Sequence, residues 1–134
     1  MKSILTVTLF FLISCLIIFS SCKKAGTGGK ATLVVFLQHH GKTIPNHIGY
    51  PDTVFVKFNA KELPGTTAAD FDTYFVGEVG EDHVHCEELK PGNYFIYGAG
   101  MDTTGPYRVA GGIAVKIKGS DKANEIDTNL PVTE

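Results

Sequence analysis

Five histidines are the side chains here best suited to chemistry, and they fall into two groups: His39, His40 and His47 in one, His83 and His85 in the other. A neutral imidazole offers a nitrogen lone pair to a metal ion, and imidazole also changes charge in the mildly acidic range. His83 and His85 are two apart in a segment of strand-like composition, so both side chains leave one face, with Glu87 next along it. Two imidazoles at that spacing can share one ion. His39-His40-Gly41 closes an earlier apolar run, and His47 follows in a loop where Gly41 and Asn46 permit tight turning. If the two groups converge, three or four imidazoles form a site for Zn²⁺ or Cu²⁺. Two other readings fit the same residues: exposed polar positions at strand ends, and a surface whose binding depends on pH.

Other chemistries find little in the chain. There is no Gly-x-Ser-x-Gly element and no His-Glu-x-x-His, and beyond residue 22 the one serine is Ser120, in a turn-like Gly-Ser-Asp context. Asp70 and Asp72 flank Phe71 without the ladder of oxygen ligands that an EF-type calcium loop needs. The expectation is a protein that is not an enzyme. The alternation that turns His83 and His85 outward turns Val84 and Cys86 into the core, where a thiol behaves as a small hydrophobe. In Tyr94-Phe95-Ile96-Tyr97 the inward members pack and the outward ones are candidate contacts.

These residues sit behind a distinctive N-terminus. Lys2 is the only early charge, Ile4 to Phe19 is apolar apart from Thr6, Thr8 and Ser14, and Ser20-Ser21-Cys22 follows at once. A basic start, an apolar run too short to span a bilayer comfortably and small residues before the cut describe a cleaved signal. Phe19-Ser20-Ser21-Cys22 resembles the lipobox of bacterial lipoproteins, with Phe where Leu is usual. The resemblance implies diacylglyceryl attachment to the Cys22 thiol and cleavage before it. The expected organisation is a signal peptide over 1–21, a lipidated Cys22 with a flexible tether over 22–30, and one domain over 31–134. The tether reading rests on Lys23 to Lys30, which holds three glycines and no large apolar residue.

Of the 134 residues, 113 remain after residue 21, enough for one domain with a modest core. Loss of Lys2 takes the formal charge from −2 to −3, and no basic stripe exists to neutralise phosphates, so nucleic acid is excluded as a partner. Of three cysteines, Cys15 leaves with the signal and Cys22 is acylated, so Cys86 has no intramolecular disulfide partner.

The rest of the chain is short β-branched and aromatic runs punctuated by Gly, Pro, Asn and Asp. Strands are predicted at 31–39, 53–59, 73–78, 83–88, 94–99, 111–118 and 124–130, with a helical turn compatible with Thr66 to Asp70. Ile113, Val115 and Ile117 alternate with Lys116 and Lys118, and Ile126, Thr128 and Leu130 repeat the pattern. Pro91-Gly92 is predicted as a type II turn with Gly92 at positive φ, Gly80-Glu81-Asp82 as a hairpin closure, and Gly111-Gly112 as a bulge or close backbone approach. The fold class is all-β: a single antiparallel β-sandwich of about seven strands.

From Val84 to Ala99 the chain resembles transthyretin-like and carboxypeptidase-regulatory-like domains, which share a prealbumin-like sandwich with collagen-adhesin B-type repeats. The spacing of Val84, Cys86, Leu89, Pro91, Gly92, Tyr94 and Ile96 carries the likeness, supported upstream by Gly41 to Pro45 with Val54 and Val56. The resemblance implies a non-catalytic module for stability, display or binding. The expected protein is a lipid-anchored module of the bacterial cell envelope, on the outer membrane facing the periplasm. It is held in the bilayer by acylated Cys22 and serves an envelope protein partner that the sequence does not name. A periplasmic metal-binding lipoprotein is the competing expectation.

Overall fold

Leu33, Val35 and Leu37 occupy alternate positions of one strand and are all fully buried, which sets the inner face of the first sheet. The structure, a computed structural model, describes residues 24–134. The expected signal segment and Cys22 lie outside them. The strands are β1 (Thr27–His39), β2 (Lys42–Thr43), β3 (Thr53–Phe58), β4 (Thr73–Val76), β5 (Val84–Leu89), β6 (Gly92–Asp102), β7 (Tyr107–Ile117) and β8 (Glu125–Val132). They form two four-stranded sheets. In the first, β1 is central, pairing β5 and then β2 along one edge and β8 along the other. The second runs β4-β3-β6-β7 and is antiparallel throughout.

The inward residues of both sheets share one core. Leu33, Leu37, Val84, Cys86, Leu89 and Leu130 from the first face Val54, Val56, Tyr94, Ile96 and Ile117 from the second. Each buried Leu or Ile contributes roughly 1.5–3 kcal/mol by leaving water. At one end the two sheets are stitched together. Ala110 of β7 and Thr133, just past β8, exchange backbone hydrogen bonds of 2.8 and 3.0 Å. Gly111 permits this, because a Cβ there would collide with the Pro131 carbonyl oxygen. The expected close approach at Gly111 is therefore present.

Four expectations are corrected. The sandwich is not wholly antiparallel, since β8 runs parallel to β1 from Thr32/Glu125 to His39/Val132. The chain leaves β7 in the second sheet and re-enters the first through a short turn, which presents β8 in the direction of β1. The segment 24–30 is not a tether: Ala25 is buried, β1 begins at Thr27, and the register with β5 shifts between Thr27 and Ala31. Glycine serves that bulge, with Gly28 at φ 87° and Gly29 against the Leu89 carbonyl, where a Cβ would clash.

Gly92 is not at positive φ. It is a glycine because the Ala25 backbone lies 2.7 Å from where its Cβ would be. Last, the turn at Gly80 closes no hairpin, because β4 belongs to the second sheet and β5 to the first. The helical turn near Thr66 exists as a short 3-10 segment, Ala68–Asp70, whose Asp70 carboxylate accepts from the Thr67 N–H and hydroxyl.

Candidate metal centre

The crossover from β4 to β5 carries the most concentrated chemistry. Gly80, at φ 94°, reverses the chain, and the Glu81 N–H donates to the Glu78 carbonyl at 3.1 Å. From beneath, the buried Asn46 holds the loop. Its N–H donates to the Glu81 carbonyl at 2.8 Å, and its side-chain amide donates to the Glu81 and His83 carbonyls at 3.1 and 3.0 Å. Its Oδ1 accepts from the Asp52 N–H at 2.8 Å. The strand then starts with Val84 and Cys86 inward, fully buried, and His85 outward. Burial pushes the Cys86 thiol up from its ordinary range, so it remains a protonated core residue.

Three acceptor atoms meet above this frame. His83 Nε2 lies 2.9 Å from His85 Nε2 and 2.8 Å from Glu81 Oε2. The His83 ring rests on Phe36, centroids 5.4 Å apart, and stands nearly perpendicular to His85 at 78°. Its other nitrogen, Nδ1, is 2.9 Å from Asp82 Oδ1. A carboxylate only accepts, so in a neutral ring whose hydrogen is on Nδ1, facing Asp82, Nε2 turns a bare lone pair toward Glu81. Two lone pairs at that distance need a cation between them, a proton or a metal ion.

Ligands at about 2.0–2.1 Å from a tetrahedral ion are roughly 3.3 Å apart, so the two contacts of His83 are each within about half an ångström of that spacing, and the three atoms all lie within 4.8 Å of one another. The group opens into a recess of about 180 Å³ whose walls include Val76, Glu78 and Glu87. Two imidazoles and a carboxylate suit Zn²⁺ or Cu²⁺, and the carboxylates around them add negative potential for a dication.

The two histidine pairs do not converge. His39 is in phase with Leu33, Val35 and Leu37 on the inner face of the first sheet and is buried, whereas His83 and His85 project from its outer face. His40 is exposed in the two-residue turn to β2, with φ 49° followed by 75° at Gly41. The pair lies near Glu134 and belongs to a separate cluster. His47 joins neither group; its Nε2 is 3.2 Å from the Thr103 hydroxyl oxygen. Cys22 lies outside the described residues.

The carboxylates flanking Phe71 are engaged within the fold, Asp70 by Thr67 and Asp72 by the Phe58 N–H at 2.7 Å and Lys57 Nζ at 3.2 Å. Tyr94 is fully buried, and Tyr97 stacks on Phe71 with centroids 5.8 Å apart.

The sequence reading missed Glu81, Asp82 and Asn46. Glu81 and Asp82 adjoin His83 in the string Glu-Asp-His-Val-His, a signal strong enough to have found them. Asn46 carried no such mark. No family model, no curated protein and no solved structure matches this chain. What the cluster does must be read from its geometry.

Proposed function

We propose that this chain is a non-catalytic, lipid-anchored β-sandwich module of the bacterial cell envelope that binds a divalent transition-metal ion, Zn²⁺ or Cu²⁺, through Glu81, His83 and His85. The observation that carries the reading is the meeting of three acceptor atoms at 2.8 and 2.9 Å, with Asp82 fixing the His83 tautomer from behind. A carboxylate on the far nitrogen of a ligating imidazole is the usual orienting arrangement in metal sites. Three protein ligands with an open position suit an ion that is exchanged or passed on. The prealbumin-like fold implied by Val84 to Ala99 agrees with a binding or display module, Ser20-Ser21-Cys22 supports a lipid anchor, and Lys23-Lys24 in place of an acidic run after Cys22 supports a periplasm-facing domain.

The test uses the full chain, purified in detergent without a histidine tag. Zn²⁺ at a hundredfold excess over Kd should raise stability by about 2.7 kcal/mol. His83→Gln/His85→Gln should remove the share of the gain that this site contributes. No rise in melting temperature with either Zn²⁺ or Cu²⁺ at neutral pH would sink the metal reading and leave a structural module. Anchoring is tested separately: Cys22→Ala should release the protein from membranes or leave it unprocessed, and a correctly cleaved, still membrane-bound variant would refute it.

A further inference from the structure

We infer a second, independent metal site at the opposite face of the first sheet, formed by His39, His40 and Glu134 and positioned by Asp102. It goes beyond the Glu81 site and shares no ligand with it.

Four elements build it. His39 ends β1, and the tight turn through His40 and Gly41 folds the His40 ring back over it, centroids 4.0 Å apart. Val132 of β8 pairs with His39, and the Ala110–Thr133 backbone pair pins the segment that follows, so Glu134 is delivered to the same corner. From the end of β6, Asp102 Oδ2 sits 2.7 Å from His39 Nδ1. Its Oδ1 accepts from the Thr104 N–H at 2.9 Å and the Thr104 hydroxyl at 2.7 Å. A carboxylate only accepts, so the short contact with Asp102 places a hydrogen on His39 Nδ1.

The tautomer of His39 follows. Nδ1 carries the hydrogen, and Nε2 presents its lone pair toward Glu134 Oε1, 4.0 Å away. That separation is too long for a hydrogen bond. Two ligands at about 2.0–2.1 Å from one ion lie between roughly 3.3 Å apart at the tetrahedral angle and 4.1 Å apart on opposite sides. The gap lies within that range, toward its wide end, so closing Glu134 on His39 would bring it to the tetrahedral spacing. One donor atom each from His39, His40 and Glu134 lies within 4.8 Å of the others.

His39 is the fixed member, buried and edge-on to Tyr107 at 6.1 Å, whereas the exposed His40 and Glu134 are free to close by the ångström or so that ligation requires. Two nitrogens and one carboxylate oxygen again select Zn²⁺ or Cu²⁺. Because the two sites open on opposite faces of one sheet, they load independently.

The deciding experiment removes the first site. The full chain carrying His83→Gln/His85→Gln, in detergent and without a tag, is titrated calorimetrically with Zn²⁺ at neutral pH. About one equivalent should remain. Adding His40→Gln/Glu134→Gln, two exposed changes that leave the core intact, should lower the affinity of that remainder a hundredfold or more. Asp102→Asn should weaken it by 10–100-fold, as loss of an orienting carboxylate does.

A parent chain that binds one ion, lost entirely with His83→Gln/His85→Gln, overturns the second site and leaves the first intact. Binding that survives His40→Gln/Glu134→Gln unchanged in that background overturns it as well. Should His83→Gln/His85→Gln leave the parent's binding untouched while His40→Gln/Glu134→Gln abolishes it, the second site stands and the first fails.

Discussion

The Asn46 side-chain amide donates to the His83 carbonyl oxygen at 3.0 Å, across 37 residues of sequence. One buried amide thus links the loop before β3 to the middle residue of the Glu81–His83–His85 cluster. Every polar atom of that side chain is employed, since Nδ2 also reaches the Glu81 carbonyl and Oδ1 receives the Asp52 N–H. Asn46→Ala should strip the side-chain partner from the His83 carbonyl and the Asp52 N–H, while the Glu81 carbonyl keeps the residue-46 backbone N–H, at a cost of about 2 kcal/mol. It should also loosen Glu81 against His83, so Zn²⁺ affinity should fall at least tenfold at a temperature where the variant remains folded. Thermal melting and calorimetry read the two effects, and unchanged affinity would detach Asn46 from the site.

Asp52 gives a pH prediction. It is fully buried and, among the described residues, both its carboxylate oxygens lack a hydrogen-bond partner, so burial raises its pKa from 3.8 to about 7. The folded state holds this proton more tightly than the unfolded chain does. Between about pH 4 and pH 7 folding therefore takes up a proton, and stability from this group falls as pH rises through that window. The loss is on the order of 4 kcal/mol, complete above the folded-state pKa. Asp52→Asn removes the titration. Its stability relative to the parent should rise between pH 4 and pH 8, ending roughly 1–2 kcal/mol above the parent because the amide is also left unpaired. Parallel curves of melting temperature against pH would contradict this.

Strand positions were largely legible because alternation is local: the phases of Leu33, Val35 and Leu37 and of Val84 and Cys86 mark their buried faces directly. The same phases also settle the histidines. His39 is in step with the inward residues of β1, and His83 and His85 are out of step with those of β5, so the failure of the two pairs to converge was already written in the parity. What pairs through tertiary structure was not legible. Nothing in the sequence brings Glu134 or Asp102 to His39, or β8 alongside β1 in parallel. The glycines near the N-terminus illustrate a second limit, since glycine serves a tether and a bulge equally well, and only the Leu89 carbonyl against Gly29 tells them apart.

That N-terminal segment is clamped by Tyr94. The buried hydroxyl donates to the Lys90 carbonyl at 2.5 Å and accepts from the Gly26 N–H at 3.0 Å, while the Lys90 N–H donates to the Gly26 carbonyl at 2.9 Å. Gly92→Val should force Ala25 out of this contact and cost about 2 kcal/mol, the usual scale of overpacking. For a domain of this size the melting temperature should drop by on the order of 10 °C. Amide exchange at Gly26 and Lys90 should accelerate ahead of the core. Slow exchange there in a destabilised variant would place the damage elsewhere.

Asp82 offers the most selective test of the proposed metal centre, because it contacts His83, a proposed ligand, and is itself exposed on the surface. Its Oδ1 accepts from His83 Nδ1 at 2.9 Å, which turns the lone pair of Nε2 toward Glu81 and His85. Asp82→Asn keeps the size but replaces an ionised acceptor with an amide that can flip its donor toward the ring, favouring the opposite tautomer. Zn²⁺ affinity should fall by 10–100-fold. The melting temperature of the metal-free protein should stay within the range of an ordinary surface substitution, about 0.5 kcal/mol. Protons compete with a metal ion for imidazole nitrogens, so loading of the parent should decline on acidification. The variant should need a higher Zn²⁺ concentration to reach half loading at every pH tested. Equal Zn²⁺ affinity in parent and variant would mean that Asp82 does not orient His83, and the hydrogen-bonded relay behind the site would have no role in binding.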